Sequence, residues 1–126
     1  MYFRHDKTRL GQDSLIVDMK SVLDSHRVGL FEAPTGLGKT DSALSQAILF
    51  AKEQNKKVFF VTPKNLQHKL VIDIVNDINK KFNLNLRVMD FIGKSNLCID
   101  PFLYSVGPEF YDLCEKKIKK GQCDAY

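Results

Sequence analysis

The fold class predicted by this sequence is α/β, built on a parallel sheet. Three observations predict it. Apolar stripes at helical spacing alternate with short apolar runs of strand length. Each run stops at a turn or breaker residue. A glycine-rich loop, "FEAPTGLGKT", joins the first run to the helix that follows it.

The elements follow in chain order. Leu15, Ile16, Met19, Val22 and Leu23 form one apolar stripe, so residues 13–26 predict a helix with Gln12 or Asp13 near its start. "RVGLFEA" (27–33) predicts a short buried strand. Ala43, Leu44, Ala47, Ile48 and Ala51 mark one face of a second helix over 40–54. Val58 to Thr62 predicts a second strand, stopped by Pro63, which fixes its own φ and donates no hydrogen bond. Leu66, Leu70, Val71, Ile74, Val75 and Ile78 place a third helix over 65–81, and residues 86–92 predict a third strand. Helix–strand alternation of this kind implies right-handed crossovers.

The pattern changes at Gly93. Pro101, Gly107 and Pro108 break it, and Phe102, Tyr104, Phe110 and Tyr111 follow no period. The chain therefore divides into residues 1–92 and residues 93–126, the latter a separate module or an insertion. At 126 residues, with 44% hydrophobic and 27% charged side chains, the chain has globular rather than disordered composition. No apolar run approaches the roughly 18 residues that suggest a membrane span. The opening "MYFRHDKTRLGQD" is polar, so an intracellular protein, cytoplasmic or nuclear and without membrane attachment, is expected. The net charge of +4 tolerates a nucleic-acid partner without requiring one.

The loop carries the most chemistry. Ala33, four residues, then Gly38, Lys39 and Thr40 follow the phosphate-loop pattern, with Ala where Gly usually opens it. Gly36 and Gly38 let the backbone curl so that the N–H groups of Pro34-Thr35-Gly36-Leu37-Gly38 (proline excepted) can face an anion. Lys39 would reach the β and γ phosphates, and the Thr40 hydroxyl would ligate Mg²⁺. The positive end of the following helix adds to this. The bland alternative is a glycine-rich turn with no ligand.

"EAPTGLGKT" resembles motif I of superfamily-2 helicases. Upstream, Arg9 to Gln12 ("RLGQ") resembles the R-x-x-Q element with which such helicases read adenine; its alternative is a polar helix start. "VTPKNLQHKL" resembles motif Ia, which grips single-stranded DNA. That resemblance gives Thr62, Lys64 and Asn65 phosphate contacts; helix capping by Thr62 or Asn65 is the alternative. The resemblance implies a partial RecA-like domain that binds ATP and Mg²⁺.

"GKSNLCIDP" resembles the approach to the iron–sulfur domain of XPD-type and DinG-type helicases. The resemblance makes Cys98 the first ligand of a [4Fe–4S] cluster and Cys114 and Cys123 the second and third, with "CDAY" like an aromatic-flanked third cysteine. The fourth ligand is not in this chain. Three cysteines in a chain without an export signal argue against a disulfide framework. Zinc completed by Asp100 or Asp124 and unliganded thiols are the alternatives, and no C-x-x-C pair favours zinc. Lys94 and the run Lys116, Lys117, Lys119 and Lys120 suit DNA phosphate or form a solvated face.

ATP hydrolysis in this family uses an acidic D-E-A-H-like pair, and no such string occurs. Asp90 is followed by Phe91 rather than Glu. The sequence thus reads as the N-terminal part of a 5′→3′ DNA helicase whose remainder is a continuation or a separate chain, without turnover alone. A non-hydrolysing nucleotide or single-stranded DNA binding module, and a phosphate-loop ATPase or kinase unrelated to DNA, are the competing readings.

Overall fold

A computed structural model describes residues 1–63 and 65–125, apart from the side chain of Asn65. Contacts divide these residues into two units, residues 1–88 and residues 89–126.

In the first unit the helices stand where the periodicity places them: α1 is Gln12–Asp24, α2 is Lys39–Glu53 and α3 is Asn65–Phe82. Each ends in the same way. His26, Asn55 and Asn83 take left-handed φ values of 53°, 50° and 50° just past the helices. The next amides turn back onto the last turn: Arg27 N–H to Val22 O at 3.1 Å, Lys56 to Ala51 at 2.8 Å, Leu84 to Asn79 at 3.0 Å. These closures satisfy carbonyls that a helix end leaves without partners, and asparagine tolerates the left-handed region better than most residues.

The sheet is not formed. Among the described residues there is no strand, so the α/β, parallel-sheet, RecA-like expectation is corrected to a helical architecture. Residues 27–33, 58–62 and 86–92 form neither helix nor ladder. Val28 and Leu30 are fully exposed, and Phe59, Val61, Met89 and Phe91 are largely so. The reason lies in where the hydrogen-bond partners come from. A helix satisfies its backbone from residues four apart, whereas a parallel strand needs a second segment delivered over a long crossover. A run of β-prone residues does not supply that second segment.

The core is made by helix faces instead. Leu44 and Ile48 of α2 close on Ile74, Val75 and Ile78 of α3, with Tyr2, Val71, Phe82, Leu84 and Leu86 packed around them. Burial of each such aliphatic side chain contributes about 1.5–3 kcal/mol. α1 packs against α2.

Residues 1–8 strap these helices together, a role the sequence pattern does not disclose. Tyr2 meets Phe82 edge-on at 5.3 Å, and Phe3 is buried. The Arg4 guanidinium forks onto Asp41 in the first turn of α2, through Nε at 2.5 Å and Nη2 at 3.3 Å. It also reaches Asp77 of α3 at 3.1 Å. Burial works against the Arg4 charge, but the hydrogen bonds it donates to the two carboxylates, with their negative charges, outweigh it and raise its pKa. Lys81 of α3 donates to the carbonyls of Arg4 and His5 and pairs with Asp6 at 2.7 Å.

The second unit holds α4 (Lys94–Leu97), α5 (Pro101–Ser105), a short 3₁₀ turn (Gly107–Glu109) and α6 (Phe110–Lys119). Asp100 caps α5, accepting from the amides of Phe102 and Leu103 at 3.0 and 3.1 Å, and Pro101 takes the first helical position. Leu103, Phe110 and Cys114 form the buried centre, with Cys98, Val106, Leu113 and Ile118 around it. No helix of the described residues is long and apolar enough to cross a membrane.

Candidate functional site

The glycine-rich loop turns where the sequence places flexible residues. Gly36 and Gly38 have φ values of 84° and 89°, a region that side-chain-bearing residues rarely enter. A Cβ added at Gly36 would meet nothing within 4 Å, so the loop is open on that side. Leu37 N–H reaches back to Pro34 O at 3.4 Å. Gly38 is the N-cap of α2, and Lys39 and Thr40 begin its first turn. A 15-residue helix thus starts at the loop, its leading amides and positive end directed there.

The cations near the loop are turned onto its own carbonyls. Lys39 Nζ donates to Ala33 O at 2.5 Å and to Pro34 O at 3.0 Å, and Arg9 Nη1 donates to Gly36 O. An incoming phosphate would compete with carbonyl dipoles for the Lys39 ammonium, and a full negative charge makes the stronger hydrogen bond. Thr35 and Pro34 are exposed, and Thr40 is half-buried beside Lys39.

Gln12 is bound beneath the loop. It is 2% exposed. Its Nε2 donates to Gly38 O at 3.2 Å and to Ser42 Oγ at 3.1 Å, while its Oε1 accepts from Arg9 N–H at 3.0 Å. Ser42 in turn donates through N–H and Oγ to Gly38 O, at 3.0 and 3.1 Å. The R-x-x-Q element and the phosphate loop are therefore one hydrogen-bonded assembly. Ser42 was not legible as part of it. A small polar residue within the buried face of α2 is the one sequence signal that points there.

Among the residues expected to contact DNA, the Thr62 hydroxyl donates to Gln67 Oε1 in the first turn of α3. Asn65 opens α3, and Lys64 lies outside the described residues. Lys94 begins α4 in the second unit. Asp90 is exposed.

The three thiols are free, and all lie in the second unit. Cys114 is buried, and Cys98 packs against the same apolar cluster. The Lys117 ammonium has its pKa raised. The largest cause is the hydrogen bond that Lys117 donates to the Asp100 carboxylate. As placed, the thiols do not form a cluster site: among the described residues no three metal-ligating side chains converge. The final tyrosine of "CDAY", Tyr126, lies outside the described residues. The ion pair with Lys117 also holds the Asp100 carboxyl below its usual range, assisted by the Leu103 amide.

The chain is similar to a probable helicase over the part that holds the loop. It is 31% identical over 94 residues to the probable ATP-dependent helicase MJ0942 of Methanocaldococcus jannaschii, a match covering 75% of this chain and 14% of that protein. The chain thus spans a small fraction of that relative's length. No solved structure matches. The family model described as Type III restriction enzyme, res subunit, matches residues 6–96, a stretch that includes the strap from Asp6, R-x-x-Q, the loop and α3 and stops before Cys98. With most of its length matched, the chain belongs to this helicase-type family.

Proposed function

We propose that the chain is the nucleotide- and DNA-binding N-terminal part of an ATP-dependent DNA helicase of the XPD/DinG type, with 5′→3′ polarity. One observation supports this reading: Gly36 and Gly38 bend residues 33–40 into a loop, open beside Gly36, at the start of α2, with the Lys39 ammonium on the carbonyls of Ala33 and Pro34. In this reading Lys39 binds the β and γ phosphates and Thr40 ligates Mg²⁺. Arg9 and Gln12 complete the nucleotide site from the α1 side. Single-stranded DNA contacts Thr62, Lys64, Asn65 and Lys94 through its phosphates. The remainder of the helicase, as continuation or separate chain, supplies the acidic pair and the second motor domain. The setting is intracellular.

Residues 93–126 begin an iron–sulfur domain in the same proposal, with Cys98, Cys114 and Cys123 as ligands. Its support is the resemblance of "GKSNLCIDP" together with the shared cluster of Cys98 and Cys114. Cys123 would have to join them. A second reading, nucleotide binding without hydrolysis, is favoured for the chain alone because no D-E-A-H-like acidic pair occurs in its 126 residues.

The test is binding of MgADP followed by titration calorimetry. Lys39→Ala is expected to abolish it. Unchanged affinity in that variant removes the phosphate-loop reading.

A further inference from the structure

We propose that Arg4 is a positioning residue of the phosphate loop: by holding the Asp41 carboxylate, it keeps the positive end of α2 available to an anion. The inference rests on the phosphate-loop reading above and concerns a residue outside the loop on which that site depends.

Asp41 is the third residue of α2, one position after Thr40, and the one acidic residue of that helix's first turn. A carboxylate there favours the helix, because it meets the partial positive charge of the leading amides. It opposes a bound anion for the same reason. The helix end amounts to about half an elementary charge, whereas a carboxylate carries a whole one. Left uncompensated, Asp41 would turn the start of α2 from attracting phosphate to repelling it.

Arg4 removes that charge from the balance. Its guanidinium donates to both carboxylate oxygens, from Nε to Oδ1 at 2.5 Å and from Nη2 to Oδ2 at 3.3 Å. Such two-pronged pairing fixes geometry as well as charge. The pair is largely shielded from water, the Arg4 side chain being 17% and that of Asp41 12% exposed. Salt therefore screens it less than it screens an open pair. Arg4 does not depend on Asp41 for its own place. Nη1 reaches Asp77 of α3 at 3.1 Å, and the neighbouring Phe3 is buried. Arg4 also lies before residue 6, where the family match begins, so the strap adds to the site from outside the matched stretch.

The test is MgADP binding by titration calorimetry at about 0.05 and 0.5 M salt, across which screening strengthens severalfold. Arg4→Gln keeps the length of the side chain and loses its charge. Even at the dielectric constant of water, a unit charge about one helical turn from a phosphate weakens binding roughly threefold. Arg4→Gln is therefore expected to bind MgADP at least about threefold more weakly at the lower salt, and the gap should narrow at the higher. Arg4→Gln combined with Asp41→Asn is expected to bind within about twofold of the unaltered chain, although the clasp stays broken. A smaller loss in Arg4→Gln, a loss equal at both salts, or one that Asp41→Asn does not reverse overturns the inference while the phosphate-loop reading stands. Either of the last two results would make Arg4 a structural tie alone. Failure of the unaltered chain to bind MgADP removes both. If Arg4→Gln does not fold, Asp41→Asn decides: it should bind MgADP as tightly as the unaltered chain or more so, and weaker binding overturns the inference.

Discussion

Gly36 and Gly38 differ in one respect that an experiment can isolate. Both have positive φ, so alanine at either position meets the left-handed penalty of about 1–2 kcal/mol. Only at Gly38 does the new methyl group collide with something, Gln12 Nε2 at 2.4 Å. Relief requires Gln12 to withdraw from Gly38 O and Ser42 Oγ, leaving buried polar groups short of a partner at a cost of about 1–3 kcal/mol. Gly38→Ala should therefore destabilise by about 2–5 kcal/mol in total and Gly36→Ala by about 1–2 kcal/mol. Urea unfolding followed by circular dichroism measures both. With a slope of about 1–3 kcal/mol per molar for a chain of this size, the gap between the variants is a readily measured difference in midpoint. In a Gln12→Ala background the excess at Gly38 should vanish, since the colliding group is gone. Equal destabilisation by the two alanines, or an excess that survives removal of the Gln12 side chain, refutes the packing of Gln12 under the loop.

Three further outcomes follow from the structure. Ile78→Ala empties a fully buried position between α2 and α3 and should cost about 2–5 kcal/mol in the same unfolding assay; a loss below 1 kcal/mol, the scale of a surface site, would contradict the core described here. Asp100 has a folded pKa below the usual 3.8, so its contribution to the second unit is complete above that pH and is lost as pH falls below it. Asp100→Asn should flatten that acid limb of a thermal-melting profile, and an unchanged limb would show that Asp100 does not carry it. Protein purified without oxygen should hold iron and acid-labile sulfide in comparable amounts, and a folded, colourless, iron-free chain would count against cluster ligation by Cys98, Cys114 and Cys123.

Much of the first unit was legible because its helices are local. Leu44 with Ile48, and Ile74 with Val75 and Ile78, repeat at the spacing that puts them on one face, and those faces are the core. The loop was legible for a similar reason: Gly36 and Gly38 announce backbone that other residues enter with strain. Val28, Leu30, Phe59 and Val61 misled, since a β-prone composition describes one partner of a ladder and says nothing of the other. Arg4 and Asp41, 37 positions apart, carry no periodic signal that would link them.

The order of residues alone thus determined three helices, the bends of the glycine-rich loop and the lysine and threonine that follow it, because each depends on neighbours within a turn or two. Tertiary structure decided that no ladder joins the extended runs among the described residues, and that the strap at residues 1–8 clasps α2 and α3. It also decided that the Gln12 carboxamide points into the protein. Those outcomes depend on which distant groups share a space, and hydrogen-bonding capacity written into one residue does not name the residue that will meet it.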